Sequence, residues 1–110
     1  RNAYGDPAKV TPELIDRYYE LALRAGNRAA LGQRFAQMKP SNTEALKTLR
    51  LPTLIIWGAQ DKLIPLDNAQ QFERDIAGSK LVVFDDLGHV PQQEDPQRSL
   101  EALRTFLNLV

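Results

Sequence analysis

The chain has 110 residues, of which 43% are hydrophobic and 25% are charged, and its formal net charge is zero. These values are those of one ordinary globular domain, and they argue against a disordered chain, a fibrous chain and a basic nucleic-acid-binding chain. Because the chain has no cysteine, it can form neither a disulfide nor a thiolate site, and any covalent chemistry must come from oxygen.

A helix start follows the first ten residues, which have a turn composition. Thr11 can cap the first N–H groups of a helix, and Pro12 is favoured at the first helical position because it has no N–H to lose. Apolar residues then recur at helical spacing until Gly26. This pattern predicts a first helix over about residues 12–25.

Two further helices are predicted before any strand. Apolar residues between positions 27 and 38 indicate a second helix, which ends before Pro40. Ser41 and Glu44 form a capping-box pattern, which predicts a third helix to about residue 50. We therefore expect a small helical layer in the first half of the chain.

Strands and helices alternate in the second half of the chain. The runs LPTLIIWG and KLVVFDD are short and apolar, which is typical of strands buried on both faces of a parallel sheet. Helical spacing follows each run, over residues 66–76 and from about Gln97. Two strands joined through a helix are expected to be parallel, so the sequence predicts an α/β fold with a βαβα unit.

Two polar residues follow the carboxyl ends of these predicted strands. Asp61 lies in the loop WGAQDKLIP, and His89 lies in the loop DLGHVPQQEDP. Ligands bind at this edge of a parallel sheet, and neighbouring strands are only ~4.8 Å apart, so the two side chains can come within hydrogen-bond distance. A histidine that acts as a general base needs such an acceptor on its second ring nitrogen.

Other interpretations of these loops stay open at this point. Asp61 could be only a turn former or a helix cap, and His89 could be only a polar loop residue. Asp85 and Asp86, just before His89, are rival acids. Trp57, at the end of the first strand, is interpreted as a core residue or as a wall of the site.

The segments LPTLIIWGAQDKLIP and DLGHVPQQEDP together resemble the C-terminal signature of the α/β-hydrolase family. The separation of Asp61 and His89 (89 − 61 = 28 residues) suits that family, whose triad runs in the order nucleophile, acid, histidine. The resemblance implies that Asp61 is the triad acid and His89 the general base. It also implies that Pro91, Glu94 and Pro96 belong to the loop and helix start behind the histidine.

The resemblance also covers the first half of the chain. The segment GDPAKVTPELIDRYYEL is similar to helical cap segments in the esterase-like and C–C-bond-hydrolase branches of the family. The resemblance therefore implies a remnant of a helical cap over residues 1–50 and a C-terminal portion of the hydrolase core over residues 51–110. The α/β-hydrolase fold would be incomplete in this chain.

The nucleophile elbow of the family, G-x-S-x-G, is absent from the sequence. Ser41, Ser79 and Ser99 are interpreted as a helix cap, a turn residue and a helix-surface residue. We expect a serine-type hydrolase that cleaves an ester, a related acyl bond or a C–C bond, and we expect this part of it to be inactive alone. Its partners would be a small-molecule substrate and the missing N-terminal half of the core, with no cofactor and no metal.

Two other functions remain open. The chain could be a stand-alone binding or dimerisation module without catalysis, or it could belong to an epoxide hydrolase or dehalogenase with an aspartate nucleophile. In the latter, Tyr18 or Tyr19 could activate an epoxide oxygen. The first strand would have an unpaired edge, so we also expect a homodimer through that edge or marginal stability.

The sequence contains no segment typical of membrane insertion or secretion. No apolar run approaches the roughly 20 residues of a membrane-spanning helix, and the first ten residues lack the pattern of a signal peptide. We expect no membrane partner and a cytoplasmic location. Because the chain starts at Arg1 rather than at a methionine, we also expect that the true N-terminus is missing.

Overall fold

A computed structural model describes residues 2–38 and 43–108 of the chain. The helices in these residues are α1 (Pro12–Leu23), α2 (Asn27–Ala36), α3 (Leu66–Asp75), α4 (Pro91–Glu94) and α5 (Pro96–Phe106). The strands are β1 (Leu54–Gly58) and β2 (Lys80–Phe84), and short 3-10 helices cover Pro7–Lys9 and Thr43–Thr48.

The described residues form two compact units. Residues 2–9 and 43–108 make up the larger unit, and residues 10–38 make up the smaller one. The sequence suggests a boundary at residue 50 between a cap remnant and a core portion. This boundary stays a prediction about the complete fold.

The smaller unit consists of the two helices α1 and α2. The predicted cap is confirmed, because the hydroxyl of Thr11 accepts a hydrogen bond of 3.2 Å from the N–H of Leu14. Gly26 separates the helices with a φ of 86°, in the left-handed region that favours glycine. Both helices end two residues before their predicted ends.

The larger unit contains the predicted βαβα arrangement. β1 and β2 are parallel and paired in register from Leu54 opposite Lys80 to Gly58 opposite Phe84, and α3 connects them. β1 begins at Leu54 rather than at residue 51, since Pro52 has no N–H to donate to a sheet.

Three local predictions in the larger unit need correction. The predicted third helix is a 3-10 helix over Thr43–Thr48, and its proposed cap, Ser41, lies outside the described residues. The short helix α4 was not predicted. Ser99 is buried in α5 rather than on its surface, and its hydroxyl has no hydrogen-bond partner among the residues that the structure describes.

The core of the described chain is small. Its buried apolar side chains are Tyr4, Ala69, Ile76, Phe84 and Leu87. Many large apolar side chains are exposed instead, including Leu51, Leu63, Leu100, Leu103 and Leu107 in the larger unit. Within residues 2–38 and 43–108, no helix is long and apolar enough to span a membrane.

Candidate active site

Asp61 is fixed in the loop between β1 and α3 by backbone hydrogen bonds. Its N–H donates to the carbonyl of Gly58 at 3.2 Å. Its Oδ1 accepts from the N–H groups of Leu63 at 2.8 Å and Ile64 at 2.9 Å. Only 3% of the side chain is exposed, so the second oxygen, Oδ2, has a defined position.

Oδ2 of Asp61 lies 2.8 Å from Nδ1 of His89, which is a hydrogen-bond distance. The structure thus brings together the two residues that the sequence singles out. The His89 side chain remains 34% exposed. Its backbone N–H donates to the carbonyl of Ala3 at 2.7 Å, which fixes the histidine at its main chain as well.

The pKa of Asp61 lies below its ordinary value. Burial raises this pKa, but hydrogen bonds from the Ile64 N–H, the His89 ring and the Leu63 N–H lower it further than burial raises it. The carboxyl group is therefore ionised at neutral pH and can only accept hydrogen bonds. Because Oδ2 is an acceptor, Nδ1 of His89 carries the proton between them.

The loops after β1 and β2 are in direct backbone contact. The N–H of Ala59 donates to the carbonyl of Phe84 at 2.8 Å, and the N–H of Gln60 donates to the carbonyl of Leu87 at 2.9 Å. A Cβ atom at Gly58 would overlap the carbonyl oxygens of Leu87 and Gly88. A glycine at the end of β1 thus permits the close approach that brings Asp61 to His89.

The rival acids lie elsewhere. Both carboxylate oxygens of Asp86 accept hydrogen bonds of 2.9 Å from the guanidinium of Arg98, which lowers the pKa of Asp86. That guanidinium also lies over the ring of Phe84, 4.6 Å from its centroid. Asp85 is exposed, and its carbonyl accepts from the side chain of Gln60. Asp61 is the acid that the structure pairs with the histidine.

A pocket opens beside this pair of side chains. It is lined by Ile56, Trp57, Gly58, Asp61, His89, Pro91 and Gln92. The indole N–H of Trp57 donates to the carbonyl of Ile64 at 3.3 Å, and its ring centroid is 6.4 Å from that of Phe72. Trp57 therefore forms a wall of the pocket, which is one of the two interpretations that the sequence suggested.

Sequence reasoning missed one part of the site. The sequence placed Glu94 behind the histidine but indicated no contacts for it, and the first ten residues were interpreted as a loop and as part of the cap remnant. In the structure, Glu94 is buried and binds backbone N–H groups of Gly5, Asp6 and Gly88. A turn with one glycine and an acid that lies 88 or 89 positions away carry no local signal of this contact.

Comparison with known proteins gives the family of the chain. The family model for the alpha/beta hydrolase fold matches residues 4–96. The AB hydrolase superfamily protein YisY of Bacillus subtilis is 30% identical over 100 residues, which cover 91% of this chain and 37% of that protein. A 2-hydroxy-6-oxononadienedioate/2-hydroxy-6-oxononatrienedioate hydrolase of Pseudomonas is 31% identical over 106 residues, which cover 92% and 37%.

Solved structures support the same family. A meta-cleavage product hydrolase of Pseudomonas fluorescens matches with a TM-score of 0.83 and 30% identity, over 97% of this chain and 42% of that chain. The chain thus spans about two fifths of the length of these relatives. Its βαβα unit and helices are part of an α/β-hydrolase fold, and the chain belongs to the α/β-hydrolase family.

Proposed function

We propose that Asp61 and His89 are the acid and the general base of a serine-hydrolase catalytic triad. The observation that carries this proposal is the 2.8 Å contact between Oδ2 and Nδ1, at the carboxyl ends of two parallel strands and beside a pocket. Nδ1 is held by the carboxylate, which leaves Nε2 for proton transfer. This arrangement gives a histidine the tautomer and orientation that a general base requires.

The proposed reaction uses Nε2 of His89 twice in each of its two half-reactions, first as a base and then as an acid. It first accepts the proton of the attacking serine hydroxyl while the serine oxygen bonds to the carbonyl carbon of the substrate. Asp61 stabilises the imidazolium that forms and does not take the proton itself. The imidazolium then gives its proton to the leaving group as the bond between that group and the carbonyl carbon breaks. In the second half-reaction Nε2 accepts a proton from water while the water oxygen bonds to the acyl carbon, and it returns this proton to the serine oxygen as the bond between serine and the acyl group breaks.

The nucleophile and the oxyanion-hole donors of this reaction would lie outside residues 1–110. Ser79 follows α3 in a turn and donates to the carbonyl of Glu73 at 3.4 Å, and Ser99 is buried in α5. Neither lies on a glycine-flanked elbow in the sequence. We therefore propose that the missing half of the hydrolase core is the obligate partner of this chain, and that the chain alone does not turn over substrate.

The proposed substrate is a small molecule with a carbonyl group next to the scissile bond. Esters, related acyl compounds and C–C bonds beside a ketone all fit the chemistry of a serine nucleophile with a histidine base. The relative from Pseudomonas is named for the hydrolysis of a 2-hydroxy-6-oxo acid, which supports a keto acid as the substrate. The apolar walls Ile56 and Trp57 suit an uncharged part of such a substrate.

The test exchanges one carboxylate at a time in the complete polypeptide that contains this chain. Asp61→Asn should lower kcat by about 10⁴-fold with little change in KM, because the wrong histidine tautomer is then favoured. Asp85→Asn makes the same chemical change at an exposed rival acid and should leave kcat unchanged. Equal effects of the two substitutions would refute the assignment.

The same assay separates the other two functions. A non-catalytic binding module would have no turnover to lose, and both variants would behave like the unmodified protein. A hydrolase with an aspartate nucleophile would open an epoxide or release halide, whereas it would not cleave the ester or ketone substrates.

A further inference from the structure

The carboxylate of Glu94 lies in a cradle of backbone N–H groups. Oε2 accepts from Gly5 at 2.9 Å and from Gly88 at 2.8 Å, and Oε1 accepts from Asp6 at 2.9 Å. The side chain is fully buried, and the Lys9 ammonium lies 4.0 Å from Oε1. None of these contacts involves Asp61 or the ring of His89, and the proposed reaction does not use Glu94.

A buried carboxylate is costly unless hydrogen bonds replace its water. Three N–H donors supply that replacement, and hydrogen bonds to an ionised acceptor are about twice as strong as neutral ones. Burial alone would raise the pKa of Glu94, but the N–H groups of Asp6, Gly5 and Gly88, together with Lys9, lower it below its ordinary value. Glu94 is therefore charged at neutral pH and bound to all three donors.

The donors belong to two segments that are far apart in sequence. Gly5 and Asp6 come from the N-terminal segment, whereas Gly88 directly precedes His89. The N-terminal segment also accepts the N–H of His89 at the carbonyl of Ala3, at 2.7 Å. The peptide units on both sides of the Gly88 Cα are thus held, one by Glu94 and one by the segment that Glu94 binds.

The two segments are in backbone contact without room for a side chain. A Cβ atom at Gly88 would overlap backbone atoms of Ala3, Tyr4 and Gly5, and a Cβ atom at Gly5 would overlap the carbonyl of Asp86. Tyr4 is buried where the two segments meet. Because the backbones touch, a shift of the N-terminal segment would be passed on to the histidine loop.

We propose that Glu94 is a positioning residue for His89, which it aligns by fastening the N-terminal segment to the backbone at Gly88, directly before the histidine. We call this arrangement, formed by Ala3–Asp6, Gly88 and Glu94, the clasp. In it, Glu94 sets the main-chain position from which the imidazole of His89 reaches Asp61. The consequence for catalysis rests on the proposed function above. The consequence for the Asp61–His89 contact does not.

The test observes the histidine ring directly, because His89 is the single histidine of the chain. In ¹⁵N-labelled protein, the Nδ1–H proton reports the hydrogen bond to Asp61, and the ring nitrogens report the tautomer. Glu94→Gln should weaken or remove the Nδ1–H signal and should speed exchange of the His89 backbone amide by at least about tenfold. Glu101→Gln, the same change at an exposed position of α5, should alter neither.

A purely structural role predicts a different result. If Glu94→Gln lowers the melting temperature while the Nδ1–H signal and the tautomer stay as in the unmodified chain, the proposal is overturned. Glu94→Asp, which keeps the charge but shortens the side chain, provides a second variant if the first does not fold. Failure of both to fold would also overturn the proposal, since the positioning role would then be inseparable from folding.

Kinetics in the complete polypeptide separate this inference from the proposed function. Glu94→Gln should lower kcat by about 10–100-fold with KM within about threefold, as expected for a displaced catalytic group. If Asp61→Asn leaves kcat unchanged, the proposed function fails, and the ring spectrum still decides the role of Glu94. If Asp61→Asn abolishes turnover and Glu94→Gln does not lower kcat, only the positioning role fails.

Discussion

At the scale of single residues, Asp61 combines two roles that the sequence presented as alternatives. Oδ1 closes the turn after β1 by accepting the N–H groups of Leu63 and Ile64, while Oδ2 binds the ring of His89. The turn fixes the carboxylate through contacts that do not involve the histidine. A turn-forming aspartate is therefore a suitable acid for a triad, because its orientation does not depend on the histidine alone.

This division of the two oxygens predicts how the pKa of Asp61 responds to the loss of its partner. His89→Ala removes one of the hydrogen bonds that lower this pKa, so the pKa of Asp61 should rise, as ¹³C NMR titration of the carboxyl group can measure. Lys62→Ala, next to Asp61 but exposed, serves as the control. An unchanged or lower pKa in His89→Ala would contradict the observed pairing.

The sign of the accompanying stability change follows from linkage. The pKa of Asp61 in the folded chain is below the ordinary value of 3.8. As the pH falls towards and below that value, the Asp61 carboxyl group therefore binds more protons in the unfolded chain than in the folded chain. The contribution of Asp61 to the free energy of unfolding is therefore present above pH 3.8, and it is lost as the pH falls through the pKa that Asp61 has in the folded chain.

At the scale of elements, the site depends on how closely the loop after β2 approaches the end of β1. Gly58 is buried there, and a Cβ atom would overlap the carbonyl groups of Leu87 and Gly88. Gly32 in α2 offers a matched contrast, because a Cβ atom at that position would meet nothing within 4 Å.

Alanine at these two glycines should have opposite effects. Gly58→Ala should destabilise the larger unit by about 1–3 kcal/mol through overpacking, whereas Gly32→Ala should be neutral or stabilise α2 by about 0.5–1 kcal/mol. Urea unfolding measures the destabilisation by Gly58→Ala when it is followed by the fluorescence of Trp57, which is the single tryptophan of the chain and directly precedes Gly58. Equal midpoints for Gly58→Ala and the unmodified chain would show that the loops separate without cost.

The elements that could be predicted are those with a local pattern. The apolar runs around Ile56 and Val82 predicted the two strands, and the spacing of Ala69 and Ile76 predicted the helix between them. The 3-10 helix over Thr43–Thr48 and the short helix α4 have too few residues for a helical period to distinguish them from turns.

The site likewise has a part that could be predicted and a part that could not. Asp61 and His89 follow strand ends, so the topology of a parallel sheet brings them to one edge. The clasp around Glu94 joins residues that are 88 and 89 positions apart, and neither Gly5 nor Asp6 has a pattern that indicates a partner. Only the folded chain reveals that the N-terminal segment belongs to the site.

At the scale of the whole molecule, the described chain contains a small core and a two-stranded sheet. Leu51, Leu63 and Leu107 are among the large apolar residues that stay exposed, and the relatives are more than twice as long as this chain. We expect the remaining core of the hydrolase to cover such surfaces and to extend the sheet at β1.

Without that core, the isolated chain should self-associate through the free edge of β1 or be only marginally stable. Sedimentation velocity and light scattering over a range of concentrations should show dimers or larger species, or else urea unfolding should have a low midpoint. A cooperatively folded, stable monomer at high concentration would contradict this expectation. Addition of the missing half of the core should suppress the self-association.

The proposed function depends above all on acid–base catalysis by the Asp61–His89 pair. The most direct measurement is kcat of His89→Ala in the complete polypeptide, with an activated ester and a ketone with a scissile C–C bond as substrates. We expect a loss of at least about 10⁴-fold in kcat, with KM little changed and the variant still folded. A kcat within twofold of the unmodified protein would contradict it, and the pair would then be only a structural contact between two loops.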